Sequence, residues 1–179
     1  MKLEQILTEH QQALEDKWID AIHNTYPLDT VGFMRRQKDQ FQNPVGHRIA
    51  TSAKALLDAL IRPGLDSDEI AAPLDDMVRI RAVQDFTPAK AIGVFYLLKS
   101  MVRGLFKDKL ADPELVQDLM AFESKIDTLV LLSLEVYVKC KAQVYEMRIK
   151  EIKNQHHMLL RRAKMVCEPA EEPDTPINR

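Results

Sequence analysis

Apolar positions recur at helical spacing along almost the whole chain. Leu3, Ile6, Leu7, Leu14, Trp18 and Ile22 share one face of a helix predicted over residues 2–25. Tyr26-Pro27 ends it, because a residue before proline avoids helical angles. A polar connection follows, with one short helix expected around Phe33 to Lys38. Asn43-Pro44 then opens a helix: Asn caps the free amides, and Pro at the first position wastes no hydrogen bond. Its stripe is Val45, Ile49, Ala53, Leu56 and Leu60, and Arg62-Pro63-Gly64 stops it. Asp66 with Glu69 reads as a capping box, and Pro73 is expected to restart the helix that leads to Arg79. Thr87-Pro88 opens a central helix striped by Ala91, Val94, Phe95, Leu98, Met101, Val102 and Leu105. Asp112-Pro113 opens the last helix, and from there to Val166 neither Pro nor Gly occurs. That run far exceeds the mean helix of ~11–12 residues. Strand-like alternation is absent, so the pattern predicts an all-α bundle with one very long last helix.

The last helix changes character along its length. From Leu115 to Leu134 it is apolar over a broad face, as a core helix is. From Val138 onward a 4-3 repeat takes over: Val138, Ala142, Tyr145, Ile149, Ile152, His156, Leu159, Ala163 and Val166. This is the seam of a coiled coil, with Val138, Tyr145, Ile152, Leu159 and Val166 as d and the others as a. An exposed stripe of this kind calls for a second copy, so a homodimer is expected. Parallel pairing would set Lys141 near Glu146, which is favourable, but Arg148 near Lys153, which is not, and orientation stays open. Protonation of His156 in a paired seam near pH ~6 would put two charges there and loosen it. The expected division is a helical bundle over 1–136, a coiled-coil extension over 137–166 and a disordered acidic tail over 167–179.

Composition narrows the class. The chain has 179 residues, 46% hydrophobic and 29% charged, with net charge −2, enough for a real core and no global pull toward nucleic acid. The opening MKLEQILTEHQQ lacks the apolar stretch of a signal peptide, and no transmembrane segment is found. Cys140 and Cys167 lack metal-type spacing and read as reduced thiols of a cytoplasmic protein.

The search for catalytic chemistry is negative: no nucleophile elbow, phosphate loop or zinc motif occurs. An enzyme is not expected, and neither is a metal. His156 and His157 are adjacent, point ~100° apart on a helix and cannot chelate one ion together. The best site candidate is the polar run Arg79, Arg81, Gln84, Asp85 and Thr87 ahead of the central helix. The two arginines lie on different faces, so one is expected in solvent and the other drawn inward to Asp85 or a carbonyl. The run is either a structural corner or a clamp for a small anionic signal. Lys139 to Lys164 carries eight cations against Glu146 and Glu151. A solvated flank explains this run; a basic adaptor for nucleic acid or anionic membrane is the alternative.

The stretch R-A-V-Q-D-F-T-P-A-K-A, residues 81–91, resembles the core motif of the RsbRD N-terminal domain family of bacterial sensory input domains. Trp18, Tyr26-Pro27, Asn43-Pro44-Val45-Gly46 and Tyr137-Val138-Lys139-Cys140 agree with it. The resemblance implies a non-enzymatic signal-transduction module of the stress response with a globin-like bundle. Its relatives are generally taken to lack haem, so no cofactor is expected. The alternative is a ligand- or haem-binding carrier, with His23 and His47 as the imidazoles near the core, both expected to be exposed at helix ends. Family members are commonly joined to a STAS output domain. Residues 167–179 leave no room for one after the seam, so a separate output protein is the expected partner.

Overall fold

A computed structural model describes residues 3–37, 39–106 and 112–163. Val166, Cys167 and the expected acidic tail lie outside the described residues. Among those residues every regular element is an α-helix: α1 (Leu3–Glu9), α2 (Gln11–His23), α3 (Leu28–Arg36), α4 (Pro44–Ile61), α5 (Ser67–Val83), α6 (Pro88–Leu105) and α7 (Pro113–Arg162). The chain divides into two compact units, Met1–Lys141 and Ala142–Arg179.

The starts at proline are where the sequence places them. Asn43 accepts a hydrogen bond from the Gly46 amide at 2.9 Å, and its own amide donates to the Gln37 carbonyl, also at 2.9 Å. This accounts for the glycine of Asn43-Pro44-Val45-Gly46: a Cβ at position 46 would lie 2.2 Å from Asn43 Nδ2. Thr87 caps α6 through Lys90 N, and Asp112 accepts from Glu114 N at 3.1 Å.

Three expectations need correcting. The single helix over 2–25 is two helices parted at His10, because no core side chain anchors the turn between Leu7 and Leu14. The capping box at Asp66 is half made: Asp66 accepts from Asp68 N, while Glu69 pairs with Arg62 at 3.1 Å. Pro73 lies inside α5 and does not restart it. Ile70 and Leu74 are buried on either side of Pro73, and this packing overrides the lost backbone bond.

The core of the first unit is built around Trp18, which is fully buried, donates from Nε1 to the Val94 carbonyl at 2.8 Å and packs against Phe95. α7 runs antiparallel to α6, as the pairs Lys99–Asp127 (2.6 Å) and Arg103–Glu123 (2.5 Å) show. Lys125 reaches from α7 to the Leu60 and Arg62 carbonyls at the end of α4, a cation placed where a helix leaves acceptors unsatisfied. Burial along α7 proceeds through Leu115, Leu119, Phe122, Ile126, Leu129, Val130, Ser133, Tyr137 and Cys140. Packing thus continues past residue 136, where the sequence sets the end of the bundle. From Ala142 to Ala163 no side chain is buried.

Candidate functional site

The polar run before α6 forms a tight corner. α5 ends at Val83, and Asp85 then takes the left-handed conformation, φ 60°. Phe86 N donates back to the Arg81 carbonyl at 3.3 Å, closing the helix end in the pattern glycine usually serves. Asp tolerates the conformation better than most residues.

The two arginines separate as their spacing demands. Arg79 is exposed and forks onto Asp75 of the preceding turn, with two bonds of 2.9 Å that hold the Asp75 carboxyl below its usual range. Arg81 is fully buried. It donates from Nε to the Ala91 carbonyl (3.2 Å) and from Nη2 to the Lys90 carbonyl (2.8 Å) and Thr25 Oγ1 (2.9 Å). Its guanidinium carbon lies 4.3 Å from the Phe86 ring centroid and 5.5 Å from that of Tyr26. Burial pulls Arg81 below the ordinary arginine value, with Tyr26 opposing the shift. Carbonyls and ring faces carry the cation, and the inward arginine does not meet Asp85. Asp85 instead takes Lys141 Nζ at 2.7 Å.

Four other residues complete the corner. Tyr26 donates its hydroxyl to Gln84 Oε1 at 2.8 Å and stands edge-on to Phe86 at 4.9 Å. Burial raises the Tyr26 phenol above its usual value, and Arg81 lowers it in part. Tyr137 donates to the Phe86 carbonyl at 2.7 Å. Tyr137 and Lys141 are four apart on α7, so one face of that helix makes both attachments. An open depression of about 460 Å³ covers the corner, with Tyr26, Gln84, Asp85, Thr87 and Lys90 among its lining. Of the candidate run, the structure brings Arg81, Gln84, Asp85 and Thr87 together, and Arg79 faces elsewhere.

Residues 12–152 match the family described as the RsbT co-antagonist protein rsbRD N-terminal domain. The chain belongs to this family. No curated protein and no solved structure matches it. The family match covers α2 from Gln12, α3 to α6 whole and α7 as far as Ile152, and so includes every residue of the corner.

The seam residues Val138, Ala142, Tyr145, Ile149, Ile152, His156, Leu159 and Ala163 are all exposed in the single chain; Val166 lies outside the described residues. Exposure is 53% at Tyr145 and 61% at Leu159. No helix among the described residues is long and apolar enough to cross a membrane. No group of three or more metal-type ligands occurs among them either.

Sequence reasoning did not place Phe86 or Lys141 in the site, and it named Tyr26 and Tyr137 without their partners. The available signal was the spacing of Tyr137 and Lys141 on one helical face. His47 is exposed as expected, but His23 is buried, contrary to expectation.

Proposed function

We propose that this chain is a non-enzymatic sensory domain of a bacterial stress-signalling system. It acts as a homodimer that passes a change in its helical head along the last helix to a separate output protein. The observation that supports this most directly is the convergence at the corner. Tyr26, the run Arg81, Gln84 and Phe86, and Tyr137 come from three stretches far apart in sequence, each carrying part of the family resemblance, and meet where α5 turns into α6. There the corner holds α7 by the Tyr137 hydroxyl and Lys141, on either side of Val138, the first residue of the seam.

On this reading the head is a globin-like bundle that works without a cofactor in the cytoplasm. The seam is a two-stranded coiled coil. Two copies bury Tyr145, Ile149, Ile152 and Leu159 against each other, each apolar side chain contributing about 1.5–3 kcal/mol. Arg81 acts as a structural post of the corner. Nε and Nη2 are committed to backbone carbonyls and Thr25, and Nη1 alone has no partner, which supports that role over a bidentate anion clamp.

Sedimentation of the full chain at micromolar concentration tests the pairing: a dimer is expected, and a monomer overturns the proposal. Tyr137→Phe combined with Lys141→Ala tests the link. A dimer dissociation constant shifted by about 5–150-fold is the range of an allosteric coupling. An unchanged constant would leave the dimer standing and remove the corner as its control.

A further inference from the structure

His23, at the end of α2, is buried, and burial holds its imidazole below the ordinary histidine value; Asp20 opposes this and Arg35 adds to it. Its Nε2 has no hydrogen-bond partner. Such an orphaned atom costs about 1–3 kcal/mol unless something meets it. Among the described residues, the only other buried side-chain nitrogen or oxygen in this condition is Nη1 of Arg81.

His23 forms part of the wall of a cavity of about 370 Å³ between α2, α3 and α4. That volume falls in the range of small-ligand sites, about 300–1,000 Å³. Ile19, Met34 and Ala50 supply its apolar lining. Both cations of the wall are paired: Arg35 with Asp20 at 2.7 Å, and Lys54 with the buried Glu15 at 3.7 Å, while the Asp16 carboxylate accepts from Gln12 at 3.2 Å. The Asn43 amide is spent on Gly46, Gln37 and Met34 backbone atoms. Thus the wall holds apolar surface, two cations already paired, and His23, whose buried Nε2 has unspent hydrogen-bonding capacity.

We propose that this cavity binds a small, uncharged aromatic molecule carrying one hydrogen-bonding group that meets His23 Nε2. An anionic ligand would have to displace Asp20 from Arg35 or Glu15 from Lys54. An aromatic ring fits because the Met34 thioether sulfur contacts ring edges favourably, and an uncharged ring needs no counter-ion from the wall. The site would give the proposed sensor its input, and so deepens that reading. Binding itself does not require the chain to pair, so the two fail separately: a monomer that binds would sink only the dimer.

The test is an NMR titration of the full chain, with 15N-labelled histidine, against phenol and indole at pH ~7.5, where neutral imidazole dominates. The expected result is a saturable shift of the His23 ring nitrogens below about 10 mM ligand. Ala50→Phe, which fills the cavity from α4, should weaken binding at least about tenfold. His23→Leu, read by tryptophan fluorescence, should do the same. No shift at His23, or a shift that survives Ala50→Phe, overturns the proposal. Benzoate binding more tightly than phenol would overturn the uncharged class. Where His23→Leu fails to fold, Ala50→Phe and the ligand comparison decide.

Discussion

α7 is one helix with two unlike stretches. Over Pro113–Lys141 one face is buried, from Leu115 to Cys140, while Met120, Leu131, Leu134 and Val138 stay exposed on the other; Lys125 reaches backbone carbonyls and Lys141 a carboxylate. Over Ala142–Arg162 the apolar residues are as regular, yet every described one lies at least partly in water. Stripe width accounts for the difference. A broad stripe fits a bundle interior, where several helices surround it. A seam of two positions per heptad fits one companion helix. The same backbone serves both because a helix satisfies its own amides and carbonyls wherever it lies.

Four experiments probe this contrast, beginning with the largest effect. Ile149→Asp with Ile152→Asp places carboxylates in the seam. Each loses about 1.5–3 kcal/mol of burial per chain, so the dimer should weaken by about a thousandfold or more while the head's thermal midpoint stays put. Sedimentation and calorimetry read the two halves of that statement, and a falling midpoint would show that the stretches are not independent.

Arg81→Ala makes the opposite cut. It leaves a void beside Phe86 and Tyr26 and removes three donors, so the head should lose about 3 kcal/mol or more, measured by urea denaturation. A loss below about 1 kcal/mol would mean that relief of the buried charge offsets the lost contacts.

Tyr137→Phe tests the border. Removing one hydroxyl from the Phe86 carbonyl should cost about 1 kcal/mol. Amide exchange should quicken in α7 around residues 137–141 before it does elsewhere. Uniform quickening would point to global destabilisation instead.

The smallest effect is expected from acid. His23 has a depressed folded value, so the unfolded chain takes up its proton first. Its contribution is complete above the unfolded value of 6.5 and is lost as pH falls below that. Replacing His23 with Phe should remove this part of the acid sensitivity of the head. A wild-type head whose stability is flat from pH ~7 to ~5 would contradict it.

The helix starts were legible because Asn43-Pro44, Thr87-Pro88 and Asp112-Pro113 act locally: a side-chain acceptor and a residue with no amide to waste. The break at His10 and the passage of α5 through Pro73 were not, because packing at distant positions decides them. At the corner, the spacing of Arg79 and Arg81 shows that only one can turn inward. It does not show which acceptor waits there, since Lys90 and Ala91 reach Arg81 only once α6 has folded back. His23 misled for a related reason: a residue at a helix end reads as exposed until a neighbouring helix closes over it.

Asp85 sits in a backbone region that glycine would occupy about 1 kcal/mol more comfortably. The carboxylate it presents to Lys141 is what glycine would forfeit. Asp85→Gly would therefore trade backbone ease at the end of α5 for the loss of the ion pair that ties this corner to α7.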